Sequence, residues 1–109
     1  MRILFLHLNF PGQFRHIAAA LGAEGHDVAF LCQTHYGREL AGVRRLCMKG
    51  NLGHEALQQG GGNQLQRAQR AAKQYRRAMA KLDGEGWVPD VVVSHSGWGC
   101  GLHVKELWP

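Results

Sequence analysis

Four short runs of apolar residues along the chain predict four β-strands. Residues 2–8 and residues 28–31 are almost continuously apolar, which is typical of strands covered on both faces in a parallel sheet. Residues 91–93 form a run of valines, β-branched and too short for a helix. Residues 43–48 are interrupted by two arginines in the manner of an edge strand. The pattern predicts a buried parallel sheet with the 43–48 strand at its margin.

Apolar residues at helical spacing predict two helices between these strands and one after them. The first helix covers the apolar positions between residues 14 and 21 and ends at Gly25. The second is the strongest in the chain and begins after Asn63, an N-cap, with Gln66 at its third position. A last helix is predicted over residues 102–107.

The long second helix is amphipathic and is predicted to stop at Gly84 and Gly86. Its apolar face carries Leu65, Ala68, Ala71, Ala72, Tyr75, Ala78, Met79 and Leu82. Its opposite face carries Arg67, Arg70, Lys73, Arg77 and Lys81. The second set is the candidate contact surface for an anionic partner.

The order of elements, β-α-β-β-α-β-α, predicts an α/β fold. We expect a Rossmann-like open parallel sheet of about four strands in the order 3-2-1-4, with helices on both faces. The winding reverses between strands one and four, so a crevice opens at their carboxyl ends, lined by residues 7–13 and 94–101. Residues 51–63 are rich in glycine and glutamine and are predicted to be a flexible connection within a single domain of residues 1–109.

Composition narrows the class of protein. A chain of 109 residues, 45% of them hydrophobic, fits one globular domain without disulfide or metal support. The net charge of +5 favours an anionic partner. Three cysteines without tight spacing indicate free thiols in a reducing cytoplasm. No apolar run reaches the length of a signal peptide or a membrane span, so we expect neither.

Two stretches of the sequence resemble a known family. Residues 1–16, MRILFLHLNFPGQFRH, followed by GHDV at residues 25–28, are similar to the opening of bacterial family 4 glycosyltransferases of the GT-B fold. Residues 89–99, PDVVVSHSGWG, resemble the stretch that closes the first half of their N-terminal domain. The chain between these stretches aligns only loosely.

The resemblance implies an enzyme of two Rossmann-like domains. The N-terminal domain holds a sugar or glycan acceptor, and the C-terminal domain holds the nucleotide-sugar donor. Family members are metal-independent, retaining, hexosyltransferase-like enzymes, so no cofactor is expected beyond the donor substrate. This chain would supply a truncated part of the acceptor-side domain, and we expect the isolated chain to be inactive. The implied location is the cytoplasm, at the inner face of the membrane in membrane-associated members.

The two loops that carry the resemblance also carry the candidate site residues. His95 follows the fourth strand and matches a histidine of the family motif, so it is the candidate catalytic residue, placed to hydrogen-bond and polarise an acceptor hydroxyl. Gly12 has no Cβ, which either lets the backbone approach a ligand or simply allows a tight turn. Cys100 stands where the family has an acidic residue. The candidate substrate-binding residues are His7, Gly12, Gln13, Ser96, Gly97 and Trp98.

Two non-enzymatic alternatives remain open from the sequence. In the first, the chain is a binding module that docks on anionic lipid or nucleic acid through the basic face of the long helix. Nucleic acid is the weaker candidate, because no aromatic residues lie among those charges to stack on bases. In the second, copies of the chain associate with each other and cover apolar surface or a sheet edge.

Two kinds of site are disfavoured. Cys32 with His35, and a second group of His95, Cys100 and His103, do not reach four ligands at a familiar zinc spacing. The turn at residues 11–13 is not the G-x-G-x-x-G sequence of a dinucleotide site. The sequence therefore predicts neither a metal site nor a nicotinamide site.

Overall fold

A computed structural model of the chain describes residues 1–35, 37–47, 63–95 and 99–109. Its strands are β1 (Arg2–Leu6), β2 (Asp27–Cys32), β3 (Val43–Cys47) and β4 (Val91–Ser94). Its α-helices are α1 (Arg15–Ala23), α2 (Gln64–Gly84) and the short α3 (Val104–Leu107). A single turn of 3-10 helix, Gly12–Phe14, leads into α1.

The strands form one sheet in the order β3-β2-β1-β4, and all three pairs are parallel. This confirms the predicted α/β class, the strand order and the position of β3 at an edge. Leu6, the last residue of β1, is in register with Leu31 of β2 on one side and with Ser94 of β4 on the other. The carboxyl ends of β1 and β4 therefore lie side by side.

Helices cover both faces of the sheet, as predicted. On one face, Ile3 and Phe5 of β1 pack with Phe30 of β2 and Ala18 of α1. On the other face, β1 and β2 pack against α2 through a cluster that includes Leu4, Leu6, Ala29, Leu31, Tyr75, Met79 and Leu82. Residues 3–6 are at most 3% exposed, because β1 lies under a helical layer on each side. That double burial explains the continuous apolar run in the sequence.

The N-terminus of α2 is the predicted capping box. The Asn63 side chain accepts a hydrogen bond from the backbone N–H of Gln66, and the Gln66 side chain accepts one from the backbone N–H of Asn63, both at 2.9 Å. Asn63 thus ends the predicted 51–63 connection as a helix cap, and residues 51–62 lie outside the described residues. At the other end, α2 stops at Gly84, and Gly86 has a φ of +85°.

One residue of the predicted apolar face of α2 is not covered. Leu65 is 65% exposed, whereas the buried residues of the helix begin at Ala71. A helix of 21 residues is about 31 Å long, but a strand of five residues spans only about 17 Å. The first turns of α2 therefore extend past the sheet, and Leu65, although on the apolar face as assigned, is not packed.

Several predicted boundaries shift by one or two residues. β1 ends at Leu6 rather than at residue 8, although the chain stays beside the segment after β2: the backbone N–H of Thr34 donates to the Leu8 carbonyl at 2.9 Å. β2 extends to Cys32. α3 begins only at Val104, after a turn, instead of at residue 102. Within the described ranges, no helix combines the length and apolar character needed to cross a membrane.

Candidate functional site

A histidine pair lies where β1 and β4 end. His7 follows Leu6 and His95 follows Ser94, and those two strand residues are register partners. The imidazole rings have centroids 4.6 Å apart and planes inclined by 57°. Two residues far apart in sequence therefore share one rim of the sheet, at the reversal of winding where α/β proteins bind ligands.

The local backbone fixes the orientation of His7. Its Nδ1 accepts a hydrogen bond from the backbone N–H of Asn9 at 3.0 Å, so the neutral ring carries its proton on Nε2. The edge of the ring meets Phe14, with centroids 5.7 Å apart and perpendicular planes. The His7 carbonyl accepts a hydrogen bond from the Tyr75 hydroxyl of α2 at 2.9 Å. His7 is thus held from both sides of the sheet.

Gly12 makes room for this ring. Its φ is +55°, and a Cβ built there would lie 2.8–2.9 Å from three atoms of the His7 imidazole. The absence of a side chain at Gly12 therefore allows the His7 ring to occupy its position. This holds independently of any contact between the Gly12 backbone and a ligand. Gln13, in the same 3-10 turn, is exposed.

His95 is held by its backbone. Its N–H donates to the Leu6 carbonyl at 2.9 Å, which continues the β1–β4 pairing by one residue. Its carbonyl accepts a hydrogen bond from the Ser94 hydroxyl at 3.2 Å. The ring itself is half-buried beside His7. The His95 imidazole therefore lies at the rim, where β4 ends beside β1.

Cys100 lies beneath the loop that carries His95. Its side chain is fully buried, with Sγ 3.4 Å from the His95 carbonyl oxygen and 3.9 Å from that of Leu6. Burial raises the pKa of the Cys100 thiol, so it stays protonated and neutral at physiological pH. A neutral thiol suits this place, because a carboxylate here would face two carbonyl oxygens without water.

The rest of the predicted site is only partly described. Ser96, Gly97 and Trp98 lie outside the described residues, so their roles stay predictions. Just after them, Gly99 has a φ of +75°, and a Cβ there would lie 2.7 Å from the carbonyl oxygen of Ala68 on α2. The returning end of the loop therefore packs directly on the helix backbone.

The sequence placed Tyr75 among the core residues but did not indicate that it supports the site. The residue is fully buried, as predicted from the helical period, and its hydroxyl reaches the end of β1. The available signal was chemical: a tyrosine in an apolar stripe needs a hydrogen-bond partner for its hydroxyl. Which carbonyl it meets depends on how α2 crosses the sheet.

The five predicted contact residues for an anionic partner lie along α2. Arg67, Arg70, Lys73, Arg77 and Lys81 are all exposed. Two of them border a groove of about 620 Å³ between α2 and β3, the edge strand on the far side of β2 from the histidine pair. Among the residues that the structure describes, no group of three or more His, Cys, Asp or Glu side chains is arranged to hold a metal ion.

Tyr75→Phe is expected to lower the free energy of unfolding at pH 7 by about 1 kcal/mol, because the part-buried hydrogen bond to the His7 carbonyl is lost. Burial also raises the pKa of the Tyr75 hydroxyl far above its ordinary value. Above about pH 10 the unfolded tyrosine releases its proton while the folded one keeps it, so stability falls by up to about 1.4 kcal/mol per pH unit.

Urea unfolding of both proteins between pH 7 and pH 11 measures this effect. The phenylalanine variant should lose stability less steeply than the parent above pH 10, and the two curves should converge. Buried cysteines contribute an alkaline loss that both proteins share. Parallel curves over the whole range would contradict the assigned position of the hydroxyl.

An open parallel sheet with helices on both faces and a polar rim at the junction of β1 and β4 defines an α/β, Rossmann-like protein. The family model described as "Glycosyl transferase family 4 group" matches residues 24–109. The chain therefore belongs to this family of glycosyltransferases. The matched range includes His95 and begins after His7 and Gly12. Comparison with the curated proteins and with the solved structures found no match.

Proposed function

We propose that this chain forms the acceptor-side part of a retaining glycosyltransferase of the GT-B architecture. The enzyme would move a hexose from a nucleotide-sugar donor to a sugar or glycan acceptor. It would act in the cytoplasm, at the inner face of the membrane. The donor would be bound mainly by a second domain, so the isolated 109 residues would not turn over. The observation that supports this proposal best is the contact between the His7 and His95 rings at the rim of the sheet.

Two neighbouring imidazoles suit a sugar hydroxyl. A hydroxyl both donates and accepts hydrogen bonds, and a neutral imidazole offers one donor and one acceptor nitrogen. In this proposal the Nε2–H of His7 donates to the acceptor sugar, since Nδ1 of that ring is engaged by Asn9. His95 binds and polarises the hydroxyl that attacks the donor. Gly12 and Gln13 belong to the same proposed acceptor site, and Ser96, Gly97 and Trp98 stay predicted contacts of the acceptor.

The proposal is tested by sugar binding to the native chain carrying ¹³C-labelled histidine. A panel of neutral monosaccharides and disaccharides should shift the imidazole C–H signals of His7 and His95. His95→Ala should weaken binding roughly threefold to tenfold, the contribution of one hydrogen bond, with an unchanged circular dichroism spectrum. His16→Ala, which removes an exposed imidazole on α1, is the matched control and should bind like the parent. Nucleotide-sugars should not be hydrolysed by the chain alone.

Other results would contradict particular parts of the proposal. Sugar-induced shifts at other histidines, or undiminished binding by His95→Ala, would exclude the pair as the acceptor site. Release of nucleoside diphosphate by the isolated chain would refute its proposed inactivity. No response to any sugar, together with salt-sensitive binding to anionic vesicles, would favour the alternative module that docks through the basic face of α2.

A further inference from the structure

Two cysteines face each other at the ends of β2 and β3. Cys32 and Cys47 are register partners, the last pair of the two strands. Neighbouring strands lie about 4.8 Å apart, which is inside the range of about 4.4–6.8 Å that disulfide-linked Cα atoms span. Partners at the same register point to the same face of a sheet, and Cys47 Sγ lies 3.3 Å from the carbonyl oxygen of Gln33, the residue after Cys32. The backbone therefore places the sulfur atoms close enough to react.

The two thiols differ in their surroundings. Cys47 is exposed and belongs to the edge strand β3. Cys32, the last residue of β2, is fully buried. Burial, reinforced by the adjacent Cys47, raises the pKa of Cys32 to about 12. A small oxidant in solution meets Cys47 first, and Cys32 remains a thiol beside it.

We propose that Cys32 and Cys47 form a redox-modification site at which a hydroperoxide converts the pair to a reversible intrachain disulfide. The Cys47 thiolate attacks one peroxide oxygen and the O–O bond breaks, which leaves a sulfenic acid on Cys47 and releases hydroxide, or an alkoxide from an organic peroxide. The Cys32 sulfur then bonds to the Cys47 sulfur while the S–O bond breaks. The departing hydroxide takes the Cys32 proton as water. Two thiols are oxidised by two electrons, and the peroxide is reduced.

The position of the pair makes the disulfide reversible and gives it a structural effect. One partner, Cys47, is exposed on an edge strand, so a reductant can reach the bond, and exposed disulfides are the more readily reduced ones. Its formation would tie the edge strand to β2. Cys32 leads directly into Gln33 and Thr34, whose backbone N–H groups both donate to the Leu8 carbonyl at 2.9 Å. The link thus stiffens the segment that supports the loop after His7.

The native full chain, treated briefly with hydrogen peroxide and then alkylated under denaturing conditions, provides the test. The expected product is a monomer that has lost two hydrogens, with two of its three thiols protected from alkylation and residues 32 and 47 joined in the peptide map. Dithiothreitol should restore all three thiols. Accumulation of sulfinic acid at Cys47 with Cys32 still alkylated would overturn the proposal, and so would a disulfide between chains.

Two variants and one unfolded sample are the controls. Cys47→Ser removes an exposed thiol and should abolish the disulfide with little effect on folding. Cys100→Ala should leave it intact. In guanidinium chloride the parent should instead form mixed pairs that include Cys100, because the strand register is lost. If a variant fails to fold, the peptide map of the native parent still decides the outcome. If the 32–47 bond formed equally well in the unfolded sample, the strand register would have no role in its formation.

Discussion

Replacing Gly22 by alanine is expected to lower the free energy of unfolding by about 1–3 kcal/mol, the usual cost of forcing a methyl group into packed space. A Cβ at Gly22 would lie 2.6 Å from the carbonyl oxygen of Gly42, in the turn before β3. Both sides of this contact are backbone, so no side chain can rotate to relieve it. Helix α1 and the turn must separate, which also loosens the edge strand.

Gly84→Ala is the matched control for this variant. Gly84 is also helical, at the end of α2, and a Cβ there meets no heavy atom within 4 Å. Alanine should therefore stabilise the protein by about 0.5–1 kcal/mol, through its higher helix propensity and the lower entropy of the unfolded chain. Urea unfolding of the three proteins measures both effects. Equal effects of the two substitutions would show that α1 does not touch the Gly42 turn.

Gly12→Ala is expected to have the largest effect on the candidate site. Alanine at a φ of +55° costs about 1–2 kcal/mol, and the new methyl group would overlap the His7 ring. Phe14, His95 and the Nδ1 bond to Asn9 enclose that ring, so we expect about 1–3 kcal/mol more for its displacement. The imidazole C–H signals of both histidines should shift, and sugar binding should weaken as in His95→Ala.

Gly25→Ala isolates the backbone contribution. Gly25 has a φ of +93°, but a Cβ there meets nothing within 4 Å. The free energy of unfolding of this variant should fall only by the cost of the left-handed conformation. Its histidine signals at the rim should match those of the parent. Identical losses of stability in the two variants, with unmoved signals in Gly12→Ala, would disprove the contact between Gly12 and the ring.

Much of the fold could be predicted from local chemistry. The apolar run before residue 7 and the valines at 91–93 identified strands of a parallel sheet, and the pairing of β1 and β4 confirms this. Only the first of them is buried as predicted, because β4 lies at an edge of the sheet and its Val91 is 43% exposed. Asn63 and Gln66 marked the start of α2 because a capping box satisfies its own backbone donors over four residues. Such features depend on residues within a few positions of one another, so they can be recognised in the local sequence.

Other features could not be predicted in this way. Leu65 fits the apolar period of α2, but the period does not indicate where the sheet beneath the helix ends. Gly22 carries no signal of its contact, because the partner glycine belongs to a turn far along the chain. The expectation that the loops of Gly12 and His95 meet came from the winding rules for α/β sheets, and the structure places them together through His7.

The sequence by itself determined the type and order of the elements, the position of β3 at one edge of the sheet, the cap of the long helix and a family resemblance carried by two loops. Only the tertiary structure decided which side chains touch: His7 with His95, the methyl-sized space that Gly12 leaves for a ring, the support from Tyr75, and the pairing of Cys32 with Cys47. The reason is physical. Periodicity and caps depend on neighbours within a few residues, whereas strand register and helix crossing depend on packing between segments that are distant in the chain.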